Sequence, residues 1–206
     1  MAHIKSDGIL FILSSPSGAG KTTIARAINA HDPNTKLSIS CTTRPIRPGE
    51  VHGKDYHFLD HESFLNMVSD DKFLESAIIY DHLYGTPKDQ IIDLTDSGKD
   101  VIFDIDWQGA KSIKSSMPKN VVSIFILPPS LDILKKRLES RSSDNKAEIE
   151  KRFKEAIHEI SHYVDYDFVV INDNLDQAIE EVHSILKSER LRRTRRTGVV
   201  QFIENM

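Results

Sequence analysis

The 206 residues include one cysteine, Cys41, so no internal disulfide can form and the fold must rest on its hydrophobic core. No apolar run approaches the roughly 18 residues that a membrane-crossing helix needs. The longest, at 9–13 and 121–127, are the length of strands, which excludes a membrane-spanning role. The opening MAHIKSDG lacks the basic-then-apolar pattern of a secretory leader, and the expected location is the cytoplasm. Charge of one sign is scarce too. With 27 Lys and Arg against 31 Asp and Glu, the net charge is only -4, which argues against a nucleic-acid partner for the molecule as a whole. Arg190, Arg192, Arg193, Arg195 and Arg196 form one local basic cluster; a solvated helix end is the first reading, nucleic-acid or partner binding the second. Repeats, low-complexity tracts and Pro-rich linkers are missing. A chain that is 39% hydrophobic and 28% charged suits one domain carrying insertions. Nothing in it sets an oligomeric state, whether monomer or homo-oligomer.

What is present is an alternation. GILFIL is followed by KTTIARAINA, DVIFDI by QGAKSIKSS, VVSIFIL by SLDILKKRLES, and DFVVI by LDQAIEEVHSILKSE. Short β-rich runs between helical patterns predict an α/β fold with a parallel sheet flanked by helices. The strands are apolar throughout instead of alternating, as a sheet covered on both faces requires. Gly98 after IIDLTDS and Pro128-Pro129 after VVSIFIL punctuate element ends. Two stretches interrupt the pattern. Residues 40–87 are dense in Pro, Gly and charge and then turn strand-like at FLESAIIY, predicting an inserted subdomain between core segments 1–39 and 88–206. SRSSDNKAEIEKR is polar and joins two helical patterns, predicting a mobile segment.

The run Ser15-Pro16-Ser17-Gly18-Ala19-Gly20-Lys21-Thr22-Thr23 lies between a predicted strand and a predicted helix, the context a phosphate-binding loop requires. The usual pattern is GxxxxGK(S/T), and Ser15 stands where its first Gly belongs. Gly18 and Gly20 permit the bend that turns backbone N–H groups onto phosphates, and the helix N-terminus adds partial positive charge. Lys21 would reach the β- and γ-phosphates of ATP, and the Thr22 hydroxyl would ligate Mg²⁺. Asp104 and Asp106 end the strand VIFDID, at the sheet edge where ligands of open α/β folds bind. Asp104 is placed to hold Mg²⁺ through water, although acids ending strands also serve as turn formers.

The insertion reads SCTTRPIRPGE, then GKDYHF, then FLE and YGTP. With the phosphate loop and DIDWQG, these segments resemble the guanylate kinase family in order and spacing over most of the chain. The resemblance implies a P-loop NTPase-type core, transfer of the γ-phosphoryl group of ATP to GMP and dGMP in purine nucleotide metabolism, and a GMP-binding subdomain at 40–87. It makes Arg44 and Arg47, with Tyr56 and Tyr84, a clamp on the GMP phosphate, which suits charge-assisted bonding by two guanidinium forks. Ser40, Glu75, Gly85 and Thr86 correspond to the guanine-reading segment, bordered by Asp104 and Asp106. A carboxylate at Glu75 can accept from guanine N1–H and the 2-amino group, whereas adenine offers N1 a lone pair and no 2-amino donor.

Arg137 and Arg141 stand four residues apart on one helix face, and Arg152 follows on the next helix. By the resemblance these arginines belong to a lid, at about 138–152, that closes over the ATP phosphates; Ser142 stands where the family usually has Gly. Asn172 would border the adenine or cap a helix. No histidine or acid is marked as a general base, and none is needed, because the second phosphate pKa of GMP, about 6, leaves its oxygens largely ionised. Lys21, Arg44, Arg141 and Arg152 would carry the chemistry by positioning and charge neutralisation, with closure excluding water. The competing readings are a non-catalytic guanylate-kinase-like binding module, which has no need of Gly20, Lys21 and Thr22, and a kinase for another small acceptor.

Overall fold

The strand β1 (Leu10–Ser14) is buried at every position and forms the middle of a five-stranded sheet. The computed structural model describes residues 6–79, 81–141 and 146–206, with the side chains of 141 and 146–148 outside the description. Around β1 run β2 (Thr35–Leu37), β7 (Asp100–Asp104), β8 (Val121–Leu127) and β9 (Phe168–Ile171). The order is β2-β7-β1-β8-β9 and all pairings are parallel. Alternate side chains point to opposite faces. Ile9, Phe11 and Leu13 pack with Ile24 and Ile28 of α1 (Lys21–His31) and with Ala178, Val182 and Leu186 of α7 (Leu175–Arg190). Leu10 and Ile12 pack on the other side with Ile91 of α3 (Lys88–Asp96) and Ala110 and Ile113 of α4 (Trp107–Ser116). Two apolar faces, each covered by helices, account for the uninterrupted hydrophobic strands. The neighbours of β1 lie on opposite sides, so the chain reverses its winding there, and the crevice at the C-terminal end of β1 opens at that switch point.

Between β2 and β7 the chain builds a second sheet in the order β4-β3-β6-β5, from β3 (Cys41–Thr42), β4 (His57–Phe58), β5 (Phe73–Ile79) and β6 (His82–Pro87). It has its own small core, in which Cys41 and Phe73 meet Phe64 of α2 (His61–Ser69), the two phenylalanine rings stacked 4.6 Å apart. The helix α2 interrupts the strands of the insertion, and Asp60 caps it by accepting the Ser63 N–H at 2.7 Å. The edge strand β2 and the terminal helix α8 (Val199–Glu204) are too short to show periodicity in the sequence.

The polar segment after SLDILKKRLES is largely helical: α5 (Leu131–Arg141) is followed by α6 (Lys146–Ile160). Residues 142–145, Ser142 among them, lie outside the described residues. The basic cluster near the end divides: Arg192 and Arg193 are exposed, as a solvated helix end requires, whereas Arg190 and Arg195 are held in the fold. Arg190 binds Asp32 and Asp100, each at 2.6 Å, and Arg195 is paired with Glu189 and bonded to the carbonyls of Asn120 and Val121. These contacts pin the end of α7 under the sheet. Among the described residues no helix is long and apolar enough to cross a membrane.

Candidate active site

Directly after β1 the chain turns through Gly18 and Gly20, both at positive φ (93° and 98°), a conformation costly for any residue with a Cβ. Gly20 stands at the N-terminus of α1, which carries no acid in its first turn, leaving that positive helix end open to an anion. A second constraint fixes Gly20. A Cβ there would lie 2.3 Å from Nδ2 of Asn172, which donates to the carbonyl of Ala19 at 2.7 Å. Asn172 is thus a buried tether on the loop, and the cap of α7 is Asn174.

Lys21 projects from the start of α1 onto the end of β7, where Nζ meets Asp104 Oδ1 at 2.7 Å and donates to the Ile105 carbonyl at 3.0 Å. Burial alone would raise the Asp104 carboxyl, but Lys21 and a hydrogen bond from Thr22 hold it below the usual carboxylate range. Asp104 and Thr22 therefore bring hard oxygen donors together beside the loop, a donor set that fits Mg²⁺. Asp106 caps α4, accepting the Gly109 N–H at 3.0 Å.

Across a cavity of about 260 Å³ from the loop stands the second sheet. Glu75 is 5% exposed. Its Oε1 accepts from the Thr86 hydroxyl at 2.7 Å, and because that hydroxyl has a single proton, Ser40 must donate to Thr86 across the next 3.1 Å. Burial, with a smaller push from Asp106, raises the Glu75 carboxyl to about 7. Gly109 makes this possible, since a Cβ there would sit 2.8 Å from Glu75 Oε2. Gly85 has a packing role: its missing Cβ leaves room for the Phe73 ring, which one would approach at 2.9 Å.

The two arginines of RPIRPG part company. Arg47 is exposed and lines the cavity with Tyr56 and Tyr84. Arg44 is 8% exposed and its guanidinium donates four hydrogen bonds, to Tyr84 Oη, the Pro45 carbonyl and both oxygens of Glu50. Its guanidinium also lies 5.4 Å from the centre of the Tyr56 ring. Burial and the charge of Asp104 push the Tyr56 phenol up to about 12, so it stays a donor. Glu50, which also accepts the Arg47 N–H at 2.8 Å, was missed as a site residue. An acid following two arginines in a Pro-Gly turn was the available signal.

The arginines expected in a lid also separate. Arg152 lines the main cavity, donating to Ser17 Oγ at 3.0 Å. Arg137 lies in a neighbouring pocket with Thr23 and Asn172, donating to the Asn172 carbonyl at 3.2 Å. Leu134 and Leu138 of the same helix pack over Gly18, and Ala19 is fully buried. The Arg141 side chain lies outside the described residues. Ser15, Pro16, Ser17, Gly18 and Gly20 line the cavity, together with Glu159 of α6, which no sequence signal marked.

The geometry joins the glycine turn after β1 to a polar, acid-bearing pocket through one cavity, and the chain that builds it is similar to known proteins. The family model for guanylate kinase matches residues 8–189. A guanylate kinase of Bradyrhizobium diazoefficiens is 49% identical over 98% of this chain and 93% of its own length. That of Zymomonas mobilis is 46% identical over 97% and 92%. The crystal structure of guanylate kinase from Anaplasma phagocytophilum superposes with a TM-score of 0.84 at 35% identity, covering 98% of this chain and 96% of that one. Agreement at this identity over more than nine-tenths of each chain takes in the residues that line the cavity, and the chain belongs to the guanylate kinase family.

Proposed function

We propose that this chain transfers the γ-phosphoryl group of ATP to GMP, and to dGMP, releasing ADP and the nucleoside diphosphate, as a cytoplasmic enzyme of purine nucleotide metabolism. The observation that carries this reading is the buried Ser40-Thr86-Glu75 chain, which faces the same cavity as the phosphate loop. Glu75 can accept two donors from guanine, and Ser40 and Thr86 orient its carboxylate. An adenine in that place would leave the buried carboxylate with the Thr86 hydroxyl but no donor from the base, a penalty of about 10⁴-fold or more in discrimination.

The acceptor is a phosphate that is already ionised, so the protein's task is to bring two anions into line. Arg47, Tyr56 and Tyr84 would hold the GMP phosphate, with Arg44 beside them braced by Glu50. Lys21 would leave Asp104 for the β- and γ-phosphates, and the open N-terminus of α1 would face the same oxygens. Arg152, with Arg137 and Arg141, would stabilise charge on the transferred group. Thr22, and Asp104 through water, would hold Mg²⁺, which when bound supplies neutralisation of phosphate charge. Closure of the 40–87 subdomain and of the lid would exclude water. Solution scattering with both nucleotides bound should then show compaction, and an unchanged radius would count against it.

A coupled assay over GMP, dGMP, AMP and CMP tests the assignment, using the parent, Lys21→Ala and Glu75→Gln. Lys21→Ala should lose rate with every acceptor, by about 10²-fold or more. Glu75→Gln should lose guanine preference, since its amide NH₂ would confront a guanine donor. Equal kcat/KM for AMP and GMP in the parent would refute the role of Glu75.

A further inference from the structure

The roles proposed above leave one acid at the phosphate loop unexplained. Glu159, half-buried near the C-terminal end of α6, faces the cavity in company with Lys21 and Asp106. Its Oε2 accepts the backbone N–H of Ser17 at 3.1 Å. The hydroxyl of the same Ser17 accepts from Arg152 at 3.0 Å. Residues 152 and 159 are seven apart, two turns of one helix, and so share a face to within about 20°. A single loop residue is therefore held twice by one helix face, once through its backbone and once through its side chain. An acid beside a site for anions carries an electrostatic cost. Burial, Asp106 and Glu155 all push the Glu159 carboxyl up, while the Ser17 amide and Lys21 pull it down.

We infer that Glu159 is a positioning residue: by holding the Ser17 amide it registers α6 on the phosphate loop and thereby aims Arg152 at the phosphates. This rests on the role proposed for Arg152. The carboxylate acts through hydrogen-bond acceptance at a fixed point, so its reach matters more than its charge. The competing arrangement is a placeholder, in which Glu159 occupies an anion position that ATP must clear. That predicts the opposite outcome, because removing it would then tighten nucleotide binding without slowing turnover.

The test is steady-state kinetics and thermal melting of E159A, E159Q, E159D, R152A and the double variant E159A/R152A. E159A should lower kcat about tenfold or more while KM for GMP stays within about twofold, since the clamp residues lie on another segment. E159Q keeps an acceptor of the same reach and should stay within about threefold of the parent, whereas E159D, one methylene short, should fall with E159A. The double variant should match R152A alone to within about twofold, because the two residues act as one unit. Should E159A fail to fold, the contrast between E159Q and E159D decides. Multiplied losses in the double variant, E159Q as slow as E159D, or tighter ADP binding with undiminished kcat would each overturn the inference. A parental rate in R152A would overturn the site reading and this inference with it, whereas multiplied losses overturn the inference alone.

Discussion

Acidifying the solution from about pH 8 to about pH 6 should weaken GMP binding roughly tenfold through one carboxyl. Glu75 carries that effect, because in the empty site its carboxyl is pushed up to about 7 and guanine can be gripped only by the ionised form. Protonated, the group becomes a donor on one oxygen and confronts guanine N1–H or the amino group donor to donor. If GMP selects the carboxylate, the apparent dissociation constant scales as one plus the ratio of protonated to ionised acid, about 1.1 near pH 8 and about 11 near pH 6. GMP itself titrates in this range, with a phosphate pKa of about 6, so the parent must be compared with Glu75→Gln, which retains only the ligand's step. Calorimetry of GMP binding across this range supplies both readouts. The parent should show the extra tenfold loss, and near pH 7 it should release about half a proton on binding, visible as a buffer-dependent enthalpy. Equal pH slopes for parent and variant, with no proton released, would refute the reasoning.

The same carboxyl affects stability. Its folded value lies above the ordinary glutamate value of 4.5, so the folded state holds the proton more tightly. The resulting stability is fully present below about 4.5 and is lost as pH rises through about 7, by roughly 3 kcal/mol. Urea melts at several pH values should show this slope in the parent and not in Glu75→Gln. Glu50→Ala would strip the buried Arg44 of its carboxylate and should raise KM for GMP about tenfold or more while KM for ATP holds; an unchanged KM for GMP would mean that Arg44 needs no brace. Gly20→Ala combines a strained φ with a contact on Asn172, and ADP binding measured by titration should fall by about an order of magnitude or more. Arg190→Ala leaves Asp32 and Asp100 buried without their shared partner and should cost about 3–5 kcal/mol in denaturant unfolding with kcat unchanged.

Local order decided much of this protein before it folded. Uniformly apolar strands such as β1 and β8 announce a sheet covered on both sides, and the strand, glycine turn, lysine and helix around Lys21 specify a phosphate loop, because those signals lie within a few residues of one another. The motif RPIRPGE with Glu75 and Tyr84 indicated the acceptor through family resemblance. What the chain could not disclose locally is which distant groups meet. Glu159 reaches Ser17 across 142 positions and Arg190 reaches Asp32 across 158; such pairs follow from strand order and helix crossing, which no periodicity encodes. Helical spacing put Arg137 and Arg141 on one helix face with Arg152 on the next helix, but the packing of α5 and α6 set Arg137 and Arg152 in different pockets beside the glycine turn. Arg44 and Arg47 look alike in sequence. Only the tertiary structure separates them, burying one against Glu50 and leaving the other exposed in the cavity, because burial and pairing are properties of the assembled fold.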